Sequence, residues 1–270
     1  VKTSVLRTRF ADIAVQESAG AGPVVLMIHG NSSSKEIFQR QFESPLATSL
    51  RLVALDLPGH GASGDAADPA TAYTLNGYAD AAVEVLERLG VARATVFGWS
   101  LGGHVALNMI SRFNGLTGVM ISGTPPVPGG LEGFGLGFRQ SDLMGLTGAR
   151  DWSETDAETF ARAGAAPFAP FMLEAARRAD GAAREAMVAD ALAGGADDQR
   201  RIAETATIPL AIVNGADDAF LNHGYFATVD YANLWGGHVF SLDGVGHAPF
   251  WQAPDQFNRL LERFVADTGA

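Results

Sequence analysis

The sequence predicts an α/β chain: a mostly parallel, eight-stranded sheet flanked by helices, with a helical cap insertion late in the core. Three observations carry this. Six short apolar runs, at 24–28, 52–55, 94–97, 118–121, 210–213 and 239–242, are continuous rather than alternating. Continuous apolarity suits strands covered on both faces, as in a parallel sheet. Helical patterns at 36–46, 75–89, 101–112 and 254–265 lie among them. The alternation then stops between residues 124 and 207, a strand-free stretch of about 80 residues where one crossover needs far fewer.

Taken in order, residues 3–18 read as a hairpin, with Val5, Arg7, Phe10 and Ile13-Ala14-Val15 leading to Ala19-Gly20. This pair adds two strands to the six buried runs. Pro125-Pro126-Val127-Pro128-Gly129-Gly130 opens the strand-free region, followed by a Gly-rich stretch to Gly148. Helices are then expected after the capping pattern Ser153-x-x-Asp156, near 171–179 and near 182–192. Asp180-Gly181 and Gly194-Gly195 punctuate them. The expected division is a core of 1–124 and 207–270 and a cap of 125–206.

At 270 residues the chain can bury a substantial core. Its net charge of −11 comes from 19 basic and 30 acidic residues, without a Lys/Arg cluster. That argues against nucleic acid or an anionic membrane surface and favours a neutral or cationic ligand. No cysteine is present, so there is no disulfide framework and no thiolate chemistry. No run approaches the ~18 apolar residues of a membrane span. Val1-Lys2-Thr3-Ser4-Val5 lacks the apolar segment of a signal peptide, and a cytoplasmic protein is expected. No internal repeat is seen, and a monomer is the default where nothing fixes the oligomeric state.

Chemistry concentrates where strands end. Gly98-Trp99-Ser100-Leu101-Gly102 sits between an apolar run and a helical pattern. This is Gly-x-Ser-x-Gly in the strand–turn–helix setting of a nucleophile elbow, with the serine hydroxyl at a helix N-terminus that favours negative charge. An acyl-transfer serine needs a base, an acid to orient that base, and donors for the oxyanion. Of six histidines, only His247 in Gly246-His247-Ala248-Pro249-Phe250 occupies a strand-exit loop at the required end of the chain. His60 and His104 sit in turn and helix contexts near the elbow signature, and His223 and His238 show no partner pattern.

For the acid, Val213-Asn214-Gly215-Ala216-Asp217-Asp218 leaves the preceding strand. Two adjacent aspartates cannot both face one imidazole. Asp218, three residues past Gly215, is preferred, and Asp217 is the alternative. For the oxyanion, Ile28-His29-Gly30-Asn31-Ser32-Ser33-Ser34 exits the first buried strand, so that the amides of Asn31 and Leu101 can converge on one oxygen. The Asn31 side chain is a second candidate donor to a substrate carbonyl. His29 reads as structural, and Ser32 to Ser34 chiefly as a turn and helix cap. No metal-ligand spacing and no phosphate-cradling Gly motif follows any strand, so no cofactor is expected.

Together these residues resemble the α/β-hydrolase superfamily over nearly the whole chain. The landmarks are His29-Gly30, Asp56-Leu57-Pro58-Gly59-His60-Gly61-Ala62-Ser63, Gly98 to Gly103, Gly215-x-x-Asp218 and Gly246-His247-Ala248-Pro249. A narrower resemblance rests on His29-Gly30-Asn31-Ser32-Ser33-Ser34, Phe97-Gly98-Trp99-Ser100-Leu101-Gly102-Gly103-His104, Gly123-Thr124-Pro125-Pro126-Val127 and Val213-Asn214-Gly215. These resemble the AidH-like N-acyl homoserine lactone lactonases, which quench quorum sensing. That resemblance implies metal-independent opening of the lactone ring of a neutral acylated signal. Two positions depart from it: the triad acid can be Glu in that family where this chain has Asp218, and a cap tyrosine aligns with Phe160.

The expected mechanism has Ser100 attack the lactone carbonyl, with His247 held by Asp218 and the oxyanion held by the Asn31 and Leu101 amides. An acyl-enzyme then hydrolyses. Asn31 and Ser32 are expected to meet the substrate amide. Trp99, Phe160, Phe168, Phe171 and Phe220 are candidates to line an acyl pocket. The alternatives are a carboxylesterase on linear esters and, from another class, a ligand-binding receptor on the same fold.

Overall fold

The computed structural model describes residues 1–269, with a single eight-stranded sheet. Strands β1 (Lys2–Arg7) and β2 (Asp12–Glu17) form the expected antiparallel hairpin. β2 pairs antiparallel with β4 (Arg51–Leu55), and from β4 onward every pairing is parallel. The remaining strands are β3 (Val24–Ile28), β5 (Ala94–Trp99), β6 (Leu116–Ser122), β7 (Leu210–Gly215) and β8 (Phe240–Leu242). Their order across the sheet is β1-β2-β4-β3-β5-β6-β7-β8.

The helices, in chain order, begin with three short turns, α1 (Gln39–Phe42), α2 (Leu46–Ser49) and α3 (Pro69–Ala72). Then come α4 (Leu75–Arg88) and α5 (Leu101–Met109). Between β6 and β7 lie α6 (Gly130–Gly137), α7 (Asp142–Leu146), α8 (Glu154–Gly164), α9 (Pro170–Arg178), α10 (Gly181–Leu192) and α11 (Gln199–Thr205). The chain closes with α12 (Pro249–Gln252) and α13 (Pro254–Asp267). None of these helices is long and apolar enough to cross a membrane.

Alternate residues of each central strand point to opposite faces, and both faces are covered. Leu26, Ile28, Val96, Val119 and Ile121 pack with α4 and α5. Val25, Met27, Phe97, Met120 and Val213 pack beneath Phe257, Leu261 and Phe264 of α13. Burying each such side chain contributes about 1.5–3 kcal/mol, which is why the strands read as continuous apolar runs.

Three local departures from the sequence reading have physical causes. The single helix expected over 36–46 is a 3₁₀ turn at Lys35–Phe38 followed by α1 and α2. Pro45 interrupts it, because a proline disfavours helix at the preceding residue and lacks the N–H needed to continue one. The Gly-rich stretch contains two helices, α6 and α7, the latter capped by Ser141 Oγ accepting from Met144 N–H. Helix α11, capped by Asp198, was also absent from the reading; at seven residues it shows little periodicity. The capping box at Ser153 and Asp156 forms as expected.

Two histidines sit fully inside the core beneath the β3 and β4 exits. His29 Nδ1–H donates to Gly30 O at 2.8 Å, and Nε2 accepts from Leu57 N–H at 3.0 Å. Protonating Nε2 would set two donors against each other. Burial accordingly pulls the His29 pKa down to about 4. Burial, together with the neighbouring His29 ring, pulls His60 to about 3. Between pH 6.5 and these values this pair binds up to two more protons in the unfolded chain than in the folded one, so its contribution to stability is fully present above pH 6.5 and falls as pH drops. The slope from this pair approaches roughly 2–3 kcal/mol per pH unit. Thermal unfolding is therefore expected to move sharply downward between pH 6.5 and 4.5, and to recover partly in a His60→Phe variant. A melting temperature constant over that range would contradict neutral burial of the pair.

Candidate active site

Ser100 joins β5 to α5 with φ 54° and ψ −118°. A serine rarely adopts this left-handed backbone, and the strain costs roughly 1–3 kcal/mol. Two hydrogen bonds hold it in place. Ser100 N–H donates to Ser122 O at 2.8 Å, and Ser100 O accepts from Thr124 Oγ1 at 2.8 Å. The flanking glycines are required by contact. A Cβ on Gly98 would stand 2.1 Å from Gly102 O, one on Gly102 2.0 Å from Ile28 O, and one on Gly103 2.1 Å from Thr124 Oγ1. With no side chains there, α5 starts directly against the ends of β3 and β5.

The other predicted residues gather around this turn. His247 Nδ1–H donates to Asp218 Oδ2 at 2.7 Å, and both side chains are almost wholly buried. The second oxygen, Asp218 Oδ1, accepts from Phe220 N–H at 2.9 Å, which fixes the carboxylate. Asp217 is exposed, and only its backbone is engaged, donating to Val245 O. The geometry thus separates the two aspartates that the sequence left open. Trp99 Nε1–H donates to His247 O at 2.9 Å, and the Phe220 ring lies 4.4 Å from the imidazole. Among the described residues Ser100 Oγ and His247 Nε2 have no hydrogen-bond partner, although both line one cavity. Such contacts commonly tighten only when substrate is bound.

Gly30 packs against Ser100, its notional Cβ falling 3.2 Å from Ser100 Cβ, which brings the Asn31 backbone beside the elbow. Neither the Asn31 nor the Leu101 N–H donates within the described residues. The Asn31 side chain departs from expectation. Its Nδ2–H donates to Thr147 O at 2.9 Å, and its Oδ1 accepts from Ser32 Oγ at 3.2 Å. It ties the β3 exit loop to the inserted helices instead of standing free for a substrate carbonyl. Ser32 itself takes a left-handed φ of 51° and also accepts from Arg184 Nη1 at 3.4 Å.

The cavity is mostly apolar and runs from Ser100 and His247 up between α6, α8 and α10. Trp99, Phe160 and Phe220 line it. Phe168 and Phe171 do not. The first stacks under the Arg162 guanidinium at 4.1 Å and the second packs edge-on to Trp251, both half-buried against the core away from the cavity. His29 is structural, as read. His223, given no partner by its sequence context, bonds the Asp218 backbone carbonyl at 3.1 Å.

Sequence reasoning did not assign a role to Thr124 or Arg184. Arg184 on α10 is buried, with no carboxylate within ion-pair distance among the described residues. Its guanidinium donates to Ala149 O, Arg150 O and Ala179 O and lies 3.9 Å over the Trp152 ring. Its only local signal is an arginine on a short alanine-rich helix, which resembles an exposed position. No group of three or more His, Asp or Glu side chains among the described residues is placed to hold a metal ion.

The profile of the alpha/beta hydrolase family matches residues 25–260. The chain is 27% identical over 276 residues to a 2-hydroxy-6-oxononadienedioate/2-hydroxy-6-oxononatrienedioate hydrolase of a Pseudomonas species, spanning 94% of this chain and 92% of that one. It is 27% identical over 274 residues to a pimeloyl-[acyl-carrier protein] methyl ester esterase of Stenotrophomonas maltophilia, spanning 93% and 95%. Among solved structures, the N-acyl homoserine lactonase AidH complexed with N-butanoyl homoserine superposes with a TM-score of 0.97. Its identity is 44%, over 99% of this chain and 97% of that one. A mutant of that enzyme complexed with N-hexanoyl homoserine lactone matches with the same TM-score and identity. An elbow serine, a His–Asp pair and a cavity joining them, on a sheet of this order, accord with these matches: the chain is a hydrolase and belongs to the alpha/beta hydrolase family.

Proposed function

We propose that this protein opens the lactone ring of N-acyl homoserine lactones by serine catalysis. The observation that carries the reading is the 44% identity, end to end, with a lactonase whose structure holds N-butanoyl homoserine. In this reading residues 125–206 form a cap over a core of 1–124 and 207–270. Ser100 Oγ attacks the lactone carbonyl carbon as its proton passes to His247 Nε2. Asp218 keeps the imidazole in the tautomer that leaves Nε2 free to accept and stabilises the imidazolium. The Asn31 and Leu101 amides, which have no other partner among the described residues, donate to the oxyanion. Collapse expels the ring oxygen, which takes the proton back from His247. The leaving hydroxyl stays tethered to the acyl-enzyme. Water, deprotonated by His247, then attacks the ester carbon; Ser100 Oγ leaves and recovers the proton, and N-acyl homoserine is released. One water is consumed and no net proton transfer to His247 remains.

The apolar walls suit an acyl chain, with Trp99, Phe160 and Phe220 as its nearest aromatic contacts and Asn31 and Ser32 on the lactone side. The net charge of −11 suits a neutral substrate. The methyl ester esterase among the relatives supports a second reading, hydrolysis of linear esters.

Ser100→Ala should lower kcat by about 10⁴–10⁶ with an unchanged melting curve, since alanine meets the elbow backbone as serine does; retention of a tenth of wild-type activity would end the serine mechanism. Asp218→Asn should lower kcat by about 10⁴, because an amide can donate to Nδ1 and favour the wrong tautomer. Asp217→Asn, on the exposed neighbour, should stay within about twofold, and the reverse ranking would reassign the acid. Finally, kcat/KM for N-acyl homoserine lactones should exceed that for alkyl esters of matching acyl length by at least the several-fold that about 0.5–1.5 kcal/mol per amide hydrogen bond provides. The product should regain the lactone mass on acidification. Inert lactones beside rapid linear-ester turnover would establish the esterase reading instead.

A further inference from the structure

The cavity contains a polar device that the mechanism above does not use. His104 lies one turn along α5 from Ser100 and lines the same cavity, among Val127, Phe134 and Phe138. Its Nδ1 is 2.6 Å from Gln199 Oε1. Gln199, almost wholly buried on α11, has both amide hydrogens committed: Nε2 donates to His104 O at 3.0 Å and to Asn108 Oδ1 at 2.8 Å. Asn108 Nδ2–H then donates to Asn76 Oδ1 at 2.7 Å, and Asn76 Nδ2–H to Gly195 O at 3.2 Å.

The chain of amides is anchored on a backbone carbonyl at each end, and a carbonyl can only accept. Reversing any one amide would therefore set donor against donor or acceptor against acceptor somewhere along it. The polarity is fixed, so Gln199 presents an oxygen to the imidazole and His104 Nδ1 must carry the proton. Burial holds the ring neutral, pulling its pKa down to about 4. His104 Nε2 is then a bare lone pair, and among the described residues nothing donates to it. Asp197, the charged side chain at this end of the cavity, is held by Arg112 at 2.6 Å.

We propose that His104 Nε2 is a specificity-determining acceptor that selects acyl chains bearing a hydroxyl on the third carbon over chains bearing a ketone there. The inference rests on the lactonase reading. Four residues along a helix advance about 6 Å. In an acylated homoserine lactone the third acyl carbon is five bonds from the carbonyl under attack, also about 6 Å when extended at ordinary bond lengths. The amide N–H, only two bonds away, falls well short. A hydroxyl at the third carbon donates to Nε2; a ketone oxygen meets the lone pair with one of its own and desolvates both without a bond.

The test measures kcat/KM for N-hexanoyl, N-(3-hydroxyhexanoyl) and N-(3-oxohexanoyl) homoserine lactones in wild type, His104→Phe and Gln199→Leu. Ratios within one preparation are used, so partial misfolding cancels. In wild type the 3-hydroxy substrate should exceed the 3-oxo substrate, and His104→Phe should cut the 3-hydroxy to unsubstituted ratio about 3- to 10-fold. Gln199→Leu frees the tautomer, lets Nε2 carry a proton and donate to a ketone, and should raise the 3-oxo to unsubstituted ratio. Turnover of all three lactones with ratios unmoved by either substitution would overturn the inference alone. Failure of every lactone to turn over in wild type would overturn the lactonase reading and this inference with it.

Discussion

The site depends on how closely three strand ends and one helix start can approach. At Gly98, Gly102 and Gly103 a single methyl group would overlap backbone or side-chain oxygen at about 2 Å. Because nothing stands there, α5 can begin within contact of Ile28 O, and the β3 exit at Gly30 packs directly on Ser100. The close approach also makes the strained backbone of Ser100 affordable, since Ser122 O and Thr124 Oγ1 hold both ends of its peptide. The elbow is thus a consequence of packing among β3, β5, β6 and α5. No local turn preference could hold a serine at φ 54° without it.

That origin explains which features were legible in the sequence. Strands buried on both faces leave continuous apolar runs, so β3 to β7 were visible to within two residues at each end. Ser100, His247 and Asp218 were visible because an α/β sheet collects its chemistry at strand exits, and the exits carry Gly-rich or polar motifs. Asp217 and Asp218 could not be separated with certainty by position alone; burial and the Phe220 N–H do it in three dimensions.

What remained hidden is what acts across long sequence separations. Thr124 is a hydroxyl beside a proline, indistinguishable from a turn residue until Ser100 O is placed 2.8 Å away. Gln199 meets His104 from 95 residues away, and Arg184 reaches Ser32 from 152. Helical periodicity failed where glycine and proline replaced the usual apolar stripe, as in α6, where Gly133 is needed because a Cβ there would stand 1.8 Å from Pro128 O. The pocket aromatics divided for a similar reason. Phe160 and Phe168 are indistinguishable in composition, and only the direction of α8 and of the following loop sends one inward.

The inserted helices and the β3 exit loop are joined by hydrogen bonds. Asn31 Nδ2–H reaches Thr147 O, Ser32 Oγ meets Arg184, and Asp180 receives the Tyr73 hydroxyl while its own N–H bonds Gly59 O. Arg184 is the unusual member, a desolvated cation with no carboxylate in ion-pair range among the described residues, compensated by carbonyl dipoles, the Ser32 hydroxyl and an aromatic face. Lys35 and Asp56, paired at 2.7 Å, anchor the other end of the same loop to the β4 exit. The β3 exit loop is thus held by a buried cation on each side, Arg184 at Ser32 and Lys35 at Asp56.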